Sequence, residues 1–459
     1  MGILVLMAAL VPTQAVAQNV RYILRSPSAS QAQAACQRYG WQMVRNLDKP
    51  DIFLIVGSDA VPFETLKQWV KDDPDVKNLE KNGKGKVSED VLVNVSYLPT
   101  SAVSSGLNDR RLTNLYGTNV WVNYVQQPAL ALVKPAEVAN ILGAGVVIAI
   151  VDTGVDPRHP VLAGVLVPGY DFTRNVEGSA SELADLDQST AAILEQSTTA
   201  ILEQSTTAIL EGARVVQLNQ STAAILEQST AAILEGTPLP AYFGHGTMVA
   251  GLVHLVAPGA KIMPLKAFRA DGTASTANIV RAIYYAADHG AKVINMSFSI
   301  PEFSDEVMRA INYASRKNVI CIASVGNEAS RDLRYPAALG NVIGVGSTTM
   351  SDQPSVFTNL GADMVSLAAP GEALVTAYPG GHYAAVWGTS FSAALVSGGA
   401  AVLVDGVKKE EMSISIEQAD ARRAFGRSVP LNTLDLGEGR LDLNKAVHYI
   451  REIKLPPVK

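Results

Sequence analysis

Between residues 20 and 87 the apolar positions change period several times. The runs Arg21–Leu24, Trp41–Val44, Ile52–Val56 and Val76–Leu79 are short and bounded as strands are, whereas the stretches around Gln31–Tyr39 and Pro62–Lys71 read as helices. The resulting order, βαββαβ, predicts a small α+β sandwich in which helices lie on an antiparallel sheet. Beyond residue 120 the short runs are nearly continuous in apolar character: Val146–Val151, Lys261–Lys266, Val293–Met296, Val319–Ala323 and Val342–Gly346. Helical stretches at Met248–Val256, Thr276–His289 and Glu306–Lys317 separate them. A strand buried on both faces has no polar side to alternate with, so this pattern predicts a parallel sheet covered by helices on both sides. The expectation is a three-layer α/β domain over 120–450. Residues 96–119, rich in Ser, Thr, Asn, Gly and Pro and without sustained periodicity, are expected to link it to the smaller unit of residues 18–95.

One segment follows neither pattern. The octad Gln-Ser-Thr-Ala-Ala-Ile-Leu-Glu recurs from Gln188, Gln196, Gln204, Gln220 and Gln228 with small Ala/Thr changes, and the divergent unit Gly212–Asn219 keeps the spacing. Eight residues turn a helix through about 800°, roughly 80° beyond two full turns, so identical octads cannot hold one apolar stripe along a straight α-helix. A strand-and-turn coil suits the spacing slightly better, while Ala, Leu and Glu favour helix. Coil, helix and unordered loop all stay open for this insertion of residues 188–235.

Of the 459 residues, 48% are hydrophobic and 17% charged, enough apolar mass for a large core and too little charge for a solvated, disordered chain. Lys and Arg total 37 against 43 Asp and Glu; a net charge of -6 with no basic block argues against nucleic acid as a partner. Cys36 and Cys321 are too few for a disulfide framework or a Cys-rich metal site and read as buried thiols. Gly2–Pro12 is almost wholly apolar and Ala15-Val16-Ala17 offers a small-x-small cleavage pattern. Residues 1–17 are therefore expected to be a signal peptide and the chain to be secreted or periplasmic. The second low-polarity stretch, Tyr383–Val404, has the Gly, Ser and Ala content of a packed core helix, so no membrane span is expected.

Four short motifs carry candidate chemistry. Asp152 ends the apolar run Val147–Val151 ahead of Thr153-Gly154, at the strand end where functional groups of open parallel sheets gather. Alone it is equally a turn residue, and the aspartic-protease reading of Asp-Thr-Gly needs a second copy that this chain lacks. His245, flanked by Gly244 and Gly246 at a helix start, could offer one ring nitrogen to a carboxylate and the other to a nucleophile. The other five histidines have no such setting. Ser390, in Gly388-Thr389-Ser390-Phe391-Ser392, stands where a loop becomes a helix of small residues, a place for a nucleophile or for a helix cap. Asn327 follows Gly326 at the end of an apolar strand and offers a neutral donor for a developing oxyanion, although Gly-Asn is also a frequent turn.

In the order Asp152, His245, Asn327, Ser390, these motifs resemble those of the subtilisin-like serine proteases. The resemblance extends from about residue 119 to 449 and includes Leu265-Lys266-Ala267-Phe268, Asn295-Met296-Ser297 and Gly437-Glu438-Gly439-Arg440-Leu441-Asp442. It implies a secreted serine endopeptidase in which Asp152 orients His245, His245 is general base and acid, Ser390 attacks, and Asn327 stabilises the oxyanion. It further implies that Ser297, Phe298, Ser299, Gly326 and Gly272 bind substrate, that residues 18–95 are a propeptide made as part of a self-processed zymogen, and that the partners are polypeptide substrates and this propeptide, on a monomer.

The sequence departs from the family at Phe391 and Ala394, where Met and Pro are common, and at Phe298-Ser299, where Leu and Gly are usual. The run Gly251–Pro258 also lacks the calcium loop that many members carry there, so no metal ligand is assigned and calcium elsewhere stays open. The alternative is a catalytically silent binding or adhesion protein that uses the octads on a protease scaffold. Intact Asp152, His245, Asn327 and Ser390 argue against it.

Overall fold

The computed structural model describes residues 19–58, 61–82, 84–87, 109, 111–138, 140–178, 180–186, 216–217, 224–225, 239–240, 242–407 and 415–455. The stretch expected to be a signal peptide and most of the octads lie outside them. The chain divides into two compact units, residues 1–83 and 84–459.

In the first unit the elements run Asn19–Arg25, Ala29–Tyr39, Gln42–Asn46, Ile52–Ser58, Phe63–Val70 and Asn78–Lys81, which is βαββαβ. The first strand lies centrally, antiparallel to Ile52–Ser58 on one side and to Asn78–Lys81 on the other; Gln42–Asn46 forms an edge. Helix Ala29–Tyr39 starts at Ser28, whose hydroxyl accepts from Gln31 N at 3.3 Å. It stops at Gly40, whose φ of 69° is left-handed. Ala32, Ala35 and Cys36 of that helix join Tyr22, Leu24, Phe53, Ile55, Leu66 and Val70 in one core.

The second unit is built on an eight-stranded sheet in the order Val176–Glu177, Tyr170–Asp171, Lys261–Lys266, Val147–Asp152, Val293–Met296, Ile320–Ser324, Ile343–Thr348 and Leu367–Pro370. All neighbours are parallel except the outermost pair, Val176–Glu177 with Tyr170–Asp171. Helices Thr276–Asp288 and Asp305–Arg316 pack together in one layer, and His245–Val256 and Thr389–Gly406 in the other, which gives the expected three layers. After Val147–Asp152 the chain builds one side of the sheet, then crosses to the other at Val293–Met296. Asp152 thus ends a central strand beside the switch in strand order, where such sheets open a crevice.

Two details differ from the sequence pattern. The far end of the stretch expected to be a structureless linker is a hairpin, Leu112–Leu115 paired with Thr118–Trp121. Its turn takes positive φ at Tyr116 (50°) and Gly117 (95°), and Asn114 Oδ1 accepts from Gly117 N. The low-polarity stretch from Tyr383 is a strand, His382–Val386, before it becomes the helix Thr389–Gly406. That helix is long and apolar enough to cross a membrane, but 89% of its window is buried within the protein.

From the octads, Val216–Gln217 pairs antiparallel with Ala224–Ile225, which pairs with His382–Val386. The two dipeptides occupy the same positions of successive eight-residue units. Cys36 and Cys321 are free and buried, as expected.

Candidate active site

Asp152 and His245, 93 residues apart in sequence, meet because a strand end and a helix start converge on the crevice. Each side chain is 1% exposed, and His245 Nδ1 lies 2.8 Å from Asp152 Oδ1. Thr153 N donates to the same carboxylate oxygen at 2.7 Å, so the carboxylate is fixed before the imidazole reaches it. A hydrogen bond from Nδ1–H to a carboxylate leaves Nε2 as the basic nitrogen of the neutral ring. The helix can begin here because of its glycines. Gly244 has φ 91°, and a Cβ on Gly246 would lie 1.9 Å from the carbonyl oxygen of Gly154, so any other residue would push the His245 turn away from the Asp152 loop.

Ser390 is the second residue of helix Thr389–Gly406, where backbone N–H groups have no partner within the helix. Its Oγ donates to Ser297 O at 3.3 Å, and Ser297 Oγ donates back to Ser390 O at 2.9 Å. Asn295 Nδ2 donates to Ser297 Oγ and Ser397 Oγ to Asn295 Oδ1, at 2.9 and 2.8 Å, tying the first turns of this helix to the strand Val293–Met296. Asn327 faces the same helix start. Its Oδ1 accepts from Thr389 N at 2.9 Å and from Thr389 Oγ1 at 2.8 Å, so the carboxamide turns its donor edge away from Thr389. Gly326, with φ 99°, donates its N–H to Thr389 Oγ1 at 3.2 Å. The His245 ring centroid lies 5.7 Å from that of Phe391, the residue after Ser390. A base oriented by a buried carboxylate, a hydroxyl at a helix start and an oriented amide donor are the parts that acyl transfer requires.

A model of the subtilase family matches residues 143–437, more than half of the chain. The chain belongs to the subtilase family of serine-type endopeptidases. Thermitase of Thermoactinomyces vulgaris is 29% identical to this subtilase over 319 residues, covering 67% of this chain and 90% of thermitase. A thermophilic serine proteinase of Bacillus sp. (strain AK1) is 31% identical over 286 residues; there the match spans 60% of this chain and only 56% of the relative. An intracellular serine protease of Paenibacillus polymyxa also matches, at 27% identity over 61% of this chain and 73% of that protein. Fervidolysin from Fervidobacterium pennivorans, described as a keratinolytic enzyme related to subtilisin, shares the fold with a TM-score of 0.64 at 19% identity, over 94% of this chain and 61% of its own.

Of the residues singled out for substrate, Phe298–Ser299 forms a short strand and the Phe298 ring is buried 5.0 Å from that of Phe268. Gly272, with φ 80°, precedes the strand Thr273–Ser275, and the place of its missing Cβ is taken by the ring of Tyr242, which stands 6.4 Å from the His245 ring. Between Thr273–Ser275 and Phe298–Ser299 runs Lys84–Val87, antiparallel to both.

Two charged residues of the subtilase that sequence motifs did not mark as site residues sit behind the His–Asp pair. Lys266 is fully buried, with Nζ donating to Thr153 O at 2.6 Å, Phe268 O at 3.0 Å and Asp185 Oδ2 at 2.7 Å. Glu182 is also fully buried. No local signal marks Glu182, since its partners are more than twenty residues away in sequence. Among the described residues, no group of three or more His, Cys, Asp or Glu side chains could hold a metal ion.

Proposed function

We propose that this chain is an exported endopeptidase that hydrolyses polypeptides through Asp152, His245 and Ser390, with Asn327 and the Ser390 N–H receiving the oxyanion. The buried 2.8 Å contact between Asp152 and His245, placed beside the helix start that carries Ser390, is the observation that carries the reading. Ser390 Oγ adds to the carbonyl carbon of the scissile bond as its proton passes to His245 Nε2. The imidazolium that forms is held by Asp152 and gives this proton to the leaving amine, leaving an acyl-enzyme on Ser390. Water then repeats the sequence, returning its proton through His245 and freeing the acid. Asn327 suits the oxyanion because Thr389 occupies its carbonyl side, leaving the carboxamide oriented before charge develops.

Residues 18–95 act in this reading as the propeptide of a self-processed zymogen, followed by a cleavable stretch. Lys84–Val87 supports it: an extended segment added between two short strands, one of them next to Ser297, is how a peptide substrate would be aligned by its backbone. Cleavage is therefore expected a few residues beyond Val87, nearer than the middle of the 96–119 stretch. Purified wild type and Ser390→Ala should be compared by intact mass, N-terminal sequence, casein turnover and labelling by a fluorophosphonate. The wild type should be labelled, active and trimmed beyond Val87, and Ser390→Ala unlabelled, inactive and full length apart from its leader. Wild-type turnover by Ser390→Ala would overturn the assignment.

A further inference from the structure

Glu182 opens a short helical turn, Glu182–Asp185, that no motif marks, yet its carboxylate joins the two segments on which the His–Asp pair depends. Oε1 accepts from Thr153 Oγ1, next to Asp152, and from Gly246 N, next to His245, the latter at 2.9 Å; Oε2 accepts from Thr247 Oγ1 at 2.6 Å. Thr153 Oγ1 also accepts from Gly246 N at 3.0 Å and lies 3.3 Å from Asp152 Oδ1. The Thr153 hydroxyl has one proton to give. With an ionised Glu182 it gives that proton to Oε1; a neutral carboxyl competes poorly for it, and the hydroxyl can turn to Asp152. Thr247 Oγ1, meanwhile, accepts from Asp156 N at 2.8 Å, so its own proton is directed at Oε2.

We propose that Glu182 is a positioning residue for the reaction, whose ionised carboxylate clamps Thr153 to the first turn of the His245 helix and so fixes the Asp152–His245 geometry. This rests on the reading of Asp152, His245 and Ser390 given above. Several ionisable groups face Glu182. Asp152 and His245 lie on the segments it bridges, and Lys266 comes from the neighbouring strand end. Tyr378, on the strand Leu374–Tyr378, feels its charge, and Asp185 of its own turn is held by Lys266 and Arg174. Burial raises the Glu182 carboxyl to about 7, against the donors Thr153 and Thr247 and the charge of Lys266, while the charge of Asp152 adds to the rise. The folded protein thus holds the proton more tightly than the unfolded chain does. The stability this brings is complete below about pH 4.5 and is lost as pH rises through about 7. The clamp is therefore ionised at a cost to the fold.

The acid limb of kcat/KM then reports two protons, one on His245 and one on Glu182. The test is the pH profile of kcat/KM on a short peptide, from pH 5 to 9, for mature wild type and Glu182→Gln, each normalised to sites titrated with a fluorophosphonate. For the wild type, log kcat/KM should fall with a slope approaching two on the acid side. Glu182→Gln should show a slope of one, a kcat at pH 8 lowered at least tenfold with KM within twofold, and a melting temperature above that of wild type at pH 9. A wild-type slope of one overturns the proposal by itself, including where Glu182→Gln does not fold. A variant of unchanged kcat, or one of lowered kcat and lowered melting temperature at pH 9, overturns it too. Absence of fluorophosphonate labelling in the wild type would instead overturn the Ser390 assignment.

Discussion

The helix that begins at Thr389 and the helix that begins at Ala29 solve opposite problems. Every residue of Thr389–Gly406 except Val404 and Asp405 is buried, as is every residue of His245–Val256. Helix Ala29–Tyr39 fully buries only Ala32, Ala35 and Cys36 and leaves the rest exposed or half-buried. The glycines show the same contrast. A Cβ on Gly57, in the N-terminal unit, would meet the Trp41 ring at 2.7 Å, and a side chain can swing aside. A Cβ on Gly246 would meet the Gly154 carbonyl at 1.9 Å, where only backbone movement could relieve the clash. Acyl transfer needs groups held to fractions of an ångström. In the second unit the helices that carry His245 and Ser390 are also the helices of the core, whereas the N-terminal unit is a small sandwich.

That contrast predicts that Gly246→Ala has the largest effect in the second unit. Overpacking usually costs about 1–3 kcal/mol, and a backbone obstacle places this substitution at or above the upper end. The melting temperature should fall and the remaining folded protein should have few titratable sites; a normal melting temperature with full activity would break the comparison. Asn327→Ala removes the oxyanion donor together with the Oδ1 that accepts from Thr389 N and Oγ1. A loss in kcat on the order of 10²–10³ with little change in KM is expected, the cost found on removing one such donor from a subtilisin. The smallest effect is expected from excising residues 188–235. Loop-closure entropy grows only by about (3/2)RT ln n, so joining the ends of that segment should leave hydrolysis of a short peptide within roughly tenfold of the full chain, under about 1.4 kcal/mol in barrier. Failure of the excised protein to fold would show that Val216–Gln217 and Ala224–Ile225, paired onto His382–Val386, are needed by the sheet they extend.

Phe391 is 1% exposed against His245, so the residue after Ser390 presents no thioether to peroxide, and burial pushes the Cys321 thiol up to about 12, far from a reactive thiolate.

Much of this was legible in the sequence because the signals are local. Apolar runs such as Val293–Met296 are strands in any parallel sheet, Ser28, Ser275 and Ser304 cap their helices wherever those helices pack, and Gly244, Gly326 and Gly388 announce backbone that no other residue adopts easily, while Gly246 admits the Gly154 carbonyl. Asp152, His245, Asn327 and Ser390 stood out because each lies inside such a signal. The hairpin at Leu112–Trp121 escaped because its short strands lack an apolar run, and Lys84–Val87 because Lys-Gly-Lys-Val has no strand pattern of its own and is extended only between Thr273–Ser275 and Phe298–Ser299. Glu182 is the sharpest case. In sequence it is an acid among small and polar residues. Its burial, its three donors and its raised carboxyl arise because the fold brings Thr153, Gly246 and Lys266 around it. Periodicity and turn chemistry act over a few residues and can be read in order along the chain. Electrostatics and hydrogen bonding act through space, and only the tertiary structure decides which distant residues share that space.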